Sequence, residues 1–338
     1  MQIQISSTAQ VKETNVRIIK EALVRMGSAT KIMTAAETGL SVATCNSILN
    51  ELEAAGEILV VIQDLKPTGA GRPSKTYRMN EQFHLGCSLH LGNENNSLSL
   101  QYTVVDLLGK KVVSEKHTLV SLDYSILKDY LINLVSNFPS IHAISIGLPG
   151  IISPSGQIES CDIESFTGLN LFEIIKEEFN LPCIVENDMN LIAYGLFQEK
   201  NYDTNRCVIA VSFFENICSG SGIVINKEIY HGKSNFAGEV SFLPFEKDHG
   251  RRIRLPLARI ENSDMVAKTI CAFVTILNPD VIMLTGKSIS INMMGPISEA
   301  CASILPKRHM PELTYVQNPD SYYESGLLHM TLAMLNAI

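Results

Sequence analysis

Residues 30–56 read TKIMTAAETGLSVATCNSILNELEAAG, and this stretch decides the fold of the amino-terminal part of the chain. Thr30 is placed to cap a short helix in which Ile32, Met33, Ala35 and Ala36 supply small and apolar packing. Gly39 can adopt the left-handed conformation that a tight helix-to-helix turn needs. Ser41 then caps a second helix over residues 42–54. On that helix Val42, Cys45, Ile48, Leu49 and Leu52 form an inward stripe, so Ala43, Thr44, Asn46, Ser47 and Asn50 face outward. A small, polar outer face is what a helix entering a DNA major groove requires, because bulky side chains block approach and Asn can pair with adenine.

The surroundings of this stretch agree with a winged helix-turn-helix. Val16, Ile19, Leu23 and Met26 recur at spacings of three and four and predict a helix over residues 13–26, ended by Gly27. Beyond Gly56, which stops the second helix, residues 58–62 (ILVVI) form a β-rich run, and residues 75–79 supply its antiparallel partner. The loop between them contains Gly71-Arg72-Pro73. At a wing tip Arg72 would reach a minor groove, where a guanidinium meets concentrated negative potential; the alternative is an ordinary exposed hairpin loop. Ser41, Thr44, Asn46, Ser47, Asn50, Arg72 and Lys75 are therefore the expected DNA contacts. The proposed recognition helix holds no Lys or Arg, so phosphate neutralisation falls to Lys12, Arg17, Lys31, Arg72, Lys75 or Arg78. Tri-helical modules also serve as protein-interaction domains, a reading that weak salt dependence of DNA binding would support.

Charge is distributed unevenly. The chain of 338 residues has a net charge of −8, yet residues 1–80 hold nine Lys and Arg against seven Asp and Glu, leaving 18 against 28 for the rest. A weakly basic head on an acidic body follows. The length suits more than one domain, and the boundary is placed after Asn80, giving domains 1–80 and 81–338. The eight cysteines are scattered without CxxC spacing, which favours reduced core residues over a zinc cluster. Neither a membrane-spanning run nor a secretion signal is apparent, so cytoplasmic residence is expected.

After residue 80 the pattern changes to three strands, over residues 83–89, 98–105 and 111–120, with Asp106-Leu107-Leu108-Gly109 as a hairpin turn. A helix over residues 124–137 leads to a buried strand at residues 143–148, closed by Pro149-Gly150. Several motifs then follow in order: Ile146-Gly147-Leu148-Pro149-Gly150, Gly156-Gln157-Ile158, Val185-Glu186-Asn187-Asp188-Met189-Asn190, Phe236-Ala237-Gly238-Glu239, and residues 278–286, NPDVIMLTG.

In their sequence and spacing these motifs resemble the ROK family of repressors, open reading frames and kinases, and with the head in front the similarity covers nearly the whole chain. The resemblance implies an α/β protein: a winged helix-turn-helix followed by a two-lobed, actin-like (ribonuclease-H-like) sugar-kinase fold. The lobes are expected at about residues 81–190 plus the C-terminal helix, and about residues 191–320. In ROK kinases the Asp of the Glu-Asn-Asp segment is the general base toward the sugar hydroxyl, a position occupied here by Asp188. Family sugar contacts map onto Gly150, Asn187, Asp188 and Glu239. The alternative for Asp188 is a helix cap ahead of residues 190–198.

The family pattern also fails in places. Where its kinases carry an Asp-x-Gly-Gly-Thr phosphate loop, residues 86–92 read GCSLHLG, so Ser88 replaces Asp and His90 and Leu91 replace small residues. Residues 215–221, ENICSGS, replace a second Gly-rich loop. Ser241-Phe242 stands in place of a Gly-His pair, and no Cys lies between Cys218 and Cys271, so the family's zinc motif is missing. His249, Arg251, Arg252 and Arg254 form a basic patch, either a surface turn or an anion site.

These losses point to a body without catalysis, cofactor or metal, attached to a sequence-specific DNA-binding regulator of carbohydrate genes. Its expected partners are an operator duplex, a sugar or sugar-phosphate effector and a second copy of the chain. Two alternatives stay open: an active sugar kinase with an autoregulatory head, and a ligand-independent repressor whose body only dimerises.

Overall fold

The computed structural model describes residues 8–61, 75–94, 97–213, 220–244 and 263–337. The chain divides into two compact units, Met1–His84 with Asp106–Lys110, and Leu85–Val105 with Lys111–Ile338.

The first unit contains α1 (Thr8–Met26), β1 (Ala29–Thr30), α2 (Lys31–Thr38), α3 (Val42–Ala55), β2 (Ile58–Val61) and β3 (Thr76–Met79). Its local geometry follows from single residues. The Thr30 side chain accepts from Met33 N, and Gly39 ends α2 at φ 71° with its N–H on Ala35 O. Any L residue with a side chain would be strained at that φ. Ser41 caps α3, accepting from Thr44 N, and Gly56 closes the helix at φ 82°. β3 lies between β1 and β2, and β2 pairs with it in antiparallel register from Ile58↔Met79 to Val61↔Thr76. Ile19, Leu23, Cys45, Leu49, Ile58 and Tyr77 form the core of the unit, with Leu107 packed against it. Cys45, Ile48, Leu49 and Leu52 of the expected stripe are buried, but Val42 is 51% exposed. Val42 is the first residue of α3, at the end of the stripe.

The second unit runs β4 (Leu85–Glu94), β5 (Ser97–Val105), β6 (Lys111–Leu119), α4 (Tyr124–Asn137), β7 (Ile141–Leu148), β8 (Gly150–Ile152), β9 (Ile158–Cys161), α5 (Leu171–Phe179), β10 (Cys183–Asn187) and α6 (Asp188–Glu199). It continues with β11 (Cys207–Ser212), β12 (Ser221–Ile225), β13 (Glu228–Ile229), α7 (Ser263–Leu277), β14 (Val281–Thr285), α8 (Met294–Ile304), β15 (Glu312–Tyr315) and α9 (Asp320–Ala337). Two five-stranded sheets result, ordered β10-β7-β4-β5-β6 and β13-β12-β11-β14-β15. Each is an antiparallel meander extended by two parallel strands, so the same topology occurs twice. Parallel neighbours need crossovers, and helices supply them.

The layers follow from which faces are apolar. Leu85, Cys87, Leu89 and Leu91 of β4 point to one side with Leu127, Leu131 and Ile175 of α4 and α5. On the other side of β4, Gly86 allows Thr331 and Leu335 of α9 to approach. The second sheet buries Ile209, Val211, Ile282 and Leu284 under α7 and α8, and Val208, Ala210, Val281 and Met283 under α6 and α9. α6 and α9 pack on each other as the middle layer.

The strand expected over residues 83–89 runs further, through the stretch that replaces the family's phosphate loop: β4 is paired with β5 from Gly86↔Val105 to Glu94↔Ser97. Ser88 and His90 are strand residues, with Ser88 Oγ donating to Thr103 O at 3.3 Å and the His90 ring stacked on Tyr323. A phosphate cradle needs a turn with free amides, and a laddered strand has spent them. Residues 95–96, between β4 and β5 in sequence, lie outside the described residues, as do residues 215–219 of the stretch in place of the second Gly-rich loop and His249, Arg251, Arg252 and Arg254.

Candidate functional site

Two surfaces bring together the residues expected to function. The first is the outer face of α3. Ser41, Asn46, Ser47 and Asn50 are exposed and Thr44 is half-buried, all within three turns of helix. The face is internally tied: Ser41 Oγ meets Thr44 Oγ1 at 2.8 Å, and Ser47 Oγ donates to Glu51 Oε1 at 3.3 Å. Lys31, the first residue of α2, reaches across and donates from Nζ to Asn46 Oδ1 and, at 3.0 Å, to Asn50 Oδ1. Of the other expected cations, Lys12 pairs with Glu51 at 2.7 Å, Lys75 with Glu53 at 2.6 Å and Arg78 with Glu81 at 3.5 Å. Such exposed pairs are worth little in water, so a phosphate can displace the carboxylate at small cost. Arg72 lies outside the described residues.

The second surface is a cleft of about 450 Å³ in the body, between the turn after β7 and the segment after β13. Gly150, Asn187 and Glu239 line it, together with Glu186, Asn190, Ser221 and His231. Gly150 must be small: a Cβ there would stand 2.5 Å from Ser160 O across the β8–β9 ladder. Asn187 sits at extended φ and ψ at the end of β10 and caps α6, its Oδ1 accepting from Met189 N at 2.8 Å and Asn190 N at 3.2 Å. Its Nδ2 donates to Gly150 O at 2.9 Å. The capping role weighed for Asp188 therefore belongs to Asn187, because a cap is the last non-helical residue and Asp188 already lies inside the helix.

Asp188 Oδ1 accepts from Met189 N at 2.8 Å. Burial, reinforced by the nearby Asp162 and Glu239 carboxylates, pushes the Asp188 carboxyl up to about 7 against the Met189 amide, which lowers it. Burial alone pushes Glu239 up to about 7. Glu239 lines the cleft, whereas Asp188, one residue past Asn187, is not among the lining residues; the Glu239 carboxylate is near enough to oppose its ionisation.

Sequence reasoning assigned no role to Glu186 or His231, which form the best-connected group in the cleft. Glu186 is buried; its Oε1 accepts from Asn187 N and Asn190 Nδ2, both at 2.8 Å, and its Oε2 meets His231 Nε2 at 2.7 Å. That hydrogen bond raises the His231 imidazole above its usual range, against burial. The available signal was a Glu at the end of a strand bound for the interior, since a buried carboxylate demands partners. Tyr323, from α9, lies close by: its hydroxyl is buried without a hydrogen-bond partner among the described residues, and burial holds its proton far more tightly than usual. Among the described residues no group of three or more His, Cys, Asp or Glu is arranged to hold a metal ion. No helix among them is long and apolar enough to cross a membrane.

Residues 98–252 match the model of the ROK family. The xylose repressor of Bacillus subtilis is 24% identical over 255 residues, which cover 72% of this chain and 64% of the repressor. The chain thus spans somewhat less than two thirds of that relative's length. Among solved structures, a ROK family transcriptional regulator described as a homologue of the Escherichia coli MLC protein superposes with a TM-score of 0.64 at 17% identity, covering 96% of this chain and 99% of that one. A ROK family glucokinase from Streptomyces griseus, in complex with glucose and AMPPNP, gives 0.55 at 14% identity over 73% of this chain and 99% of its own. Both likenesses are of fold.

Proposed function

We propose, from the premise that the chain belongs to the ROK family, that it is a sugar-responsive, DNA-binding transcriptional repressor acting as a homodimer in the cytoplasm. The observation that carries this reading is the outer face of α3: a row of small polar side chains held at both ends by Ser41 and Gly56 and left uncovered. Such a helix fits a major groove, and Val42, exposed at its start, suits a thymine methyl group. In a dimer the two copies of α3 would meet half-sites about one helical turn apart. Arg72 and Lys75 would add phosphate or minor-groove contacts on the flank.

In this reading the body senses a sugar. Asp188 and Glu239 are the acceptors for its hydroxyl groups, while Asn187 and Gly150 shape the wall behind them. A ligand that prefers one arrangement of the body shifts DNA affinity by its differential affinity for the two arrangements. The named sugars of relatives, xylose and glucose among them, make pentoses and hexoses the first candidates. Selection of bound fragments from a genomic pool, followed by footprinting, tests the proposal. A footprint that Asn46→Ala abolishes and a sugar relieves supports it; a chain that retains no DNA fragment refutes it.

One observation favours a second reading, in which the body still phosphorylates a sugar. A carboxyl group that titrates near 7 is well matched to general-base work at neutral pH. ATP-dependent phosphorylation of glucose or xylose that disappears in Asp188→Asn would establish it.

A further inference from the structure

Nothing in a bare α3 decides which base it reads, and the sequence alone suggests adenine, the usual bidentate partner of Asn. Lys31 changes this. Asn46 and Asn50 are four residues apart on one face of α3, close enough for a single ammonium to bridge them. Lys31 Nζ donates to the Oδ1 of each, and the same ammonium stands 5.7 Å from the centre of the Tyr77 ring. The orientation of both amides is thereby settled by chemistry, because an ammonium has no acceptor and only the carbonyl end can face it. Each Nδ2 is the amide end that does not meet the ammonium, on a residue that is exposed.

The exposed set is therefore made of donors: the amide N–H groups of Asn46 and Asn50 and the third N–H of Lys31. Adenine offers the groove one acceptor, N7, beside a donor, N6, and N6 would have to share with Lys31 the remaining lone pair of an Asn oxygen already turned toward the ammonium. Guanine offers two adjacent acceptors, O6 and N7.

We propose that Lys31 is a specificity-determining residue that sets Asn46 and Asn50 as paired donors, so that the head reads guanine in G·C base pairs. The inference rests on the DNA-binding reading above. Because the clamping residue is in α2, base preference belongs to the helix pair and not to α3 alone.

The test uses the full chain. Selection from a randomised duplex library should return operators with guanine at the positions that Asn46 and Asn50 footprint. Replacing those guanines by 7-deazaguanine should weaken binding by roughly tenfold or more. Lys31→Met frees the amides and should shift the preference toward adenine, whereas Lys31→Arg keeps the donors and should keep guanine. Adenine at those positions for the unaltered chain, or indifference to 7-deazaguanine, overturns the inference while leaving the regulator reading standing. Selection of no sequence at all sinks both. The modified-base measurement needs no variant, so a poorly folding Lys31→Met would not blunt the test.

Discussion

Replacing Glu186 tests the reasoning about the cleft most directly, since this one carboxylate holds three of its parts. It receives the amide of Asn187, the side chain of Asn190 and the imidazole of His231, at 2.7–2.8 Å. Glu186→Ala leaves the buried Asn190 amide and the His231 ring without their acceptor and opens a small void. Breaking a buried ionic group by removing one partner costs about 3–5 kcal/mol. The His231 side chain is 36% exposed, so solvent screening places the expected loss near the lower end, about 3 kcal/mol. Glu186→Gln retains one oxygen as acceptor for both Asn partners and loses only the charge opposite His231, a difference of about 1 kcal/mol. The pH dependence separates the two effects. Because Glu186 raises the His231 imidazole above its unfolded value, the stability of the pair is fully present below about 6.5 and is lost as pH rises through the folded value. The Gln variant should therefore fall well below the unaltered chain at pH 5.5 and approach it at pH 9. The chain has no tryptophan, so urea unfolding is followed by circular dichroism, with the midpoint of the body's transition read at each pH. An Ala variant within about 0.5 kcal/mol of the unaltered chain, or a Gln variant equally impaired at both pH values, would refute the assigned network.

Asp188→Asn should stabilise the protein at pH 8. The carboxyl is raised from 3.8 to about 7, so its favourable contribution is present below about 4 and is lost as pH rises through 7; this bounds the gain at about 4 kcal/mol, and partial exposure reduces it to about 1–2. A variant no more stable than the unaltered chain at pH 8 counts against the burial argument. Sugar binding should tighten between pH 6 and 8, as Asp188 and Glu239 ionise and become better acceptors; calorimetry with xylose giving a flat profile would remove them as contacts. Ser41→Ala removes the cap on Thr44 N and should lower the head's stability by about 1 kcal/mol, with weaker operator binding in the same sample; unchanged thermal unfolding of the head would contradict the capping geometry. Leu49→Ala, in the head core, should cost about 2–5 kcal/mol and abolish DNA binding while leaving the sugar affinity of the body in place. Joint loss of both would show that the two units do not fold independently.

Much of this protein is written locally. Helix stripes such as Cys45, Ile48, Leu49 and Leu52, the caps Thr30 and Ser41, and the left-handed Gly39 and Gly56 depend on residues within a few positions of each other, so the chain order alone determines them. The same holds for the strand-turn-strand units of the body and for the ordered motifs from Ile146 to Gly286. What escaped was set by partners far apart in sequence. His231 meets Glu186 across 45 positions, and Lys31 reaches Asn46 and Asn50 across 15 and 19. Ser88 is legible as strand, but the extension of β4 past residue 89 through His90 and Leu91 depends on the ladder with β5, which local pattern does not reveal. Asn187 and Asp188 differ by one position, and only the point where β10 gives way to α6 decided which of them caps the helix and which begins it. Hydrophobic periodicity and capping act over a turn or two of chain, whereas the partner of a buried charge is chosen by how layers stack, and that choice exists only in the folded molecule.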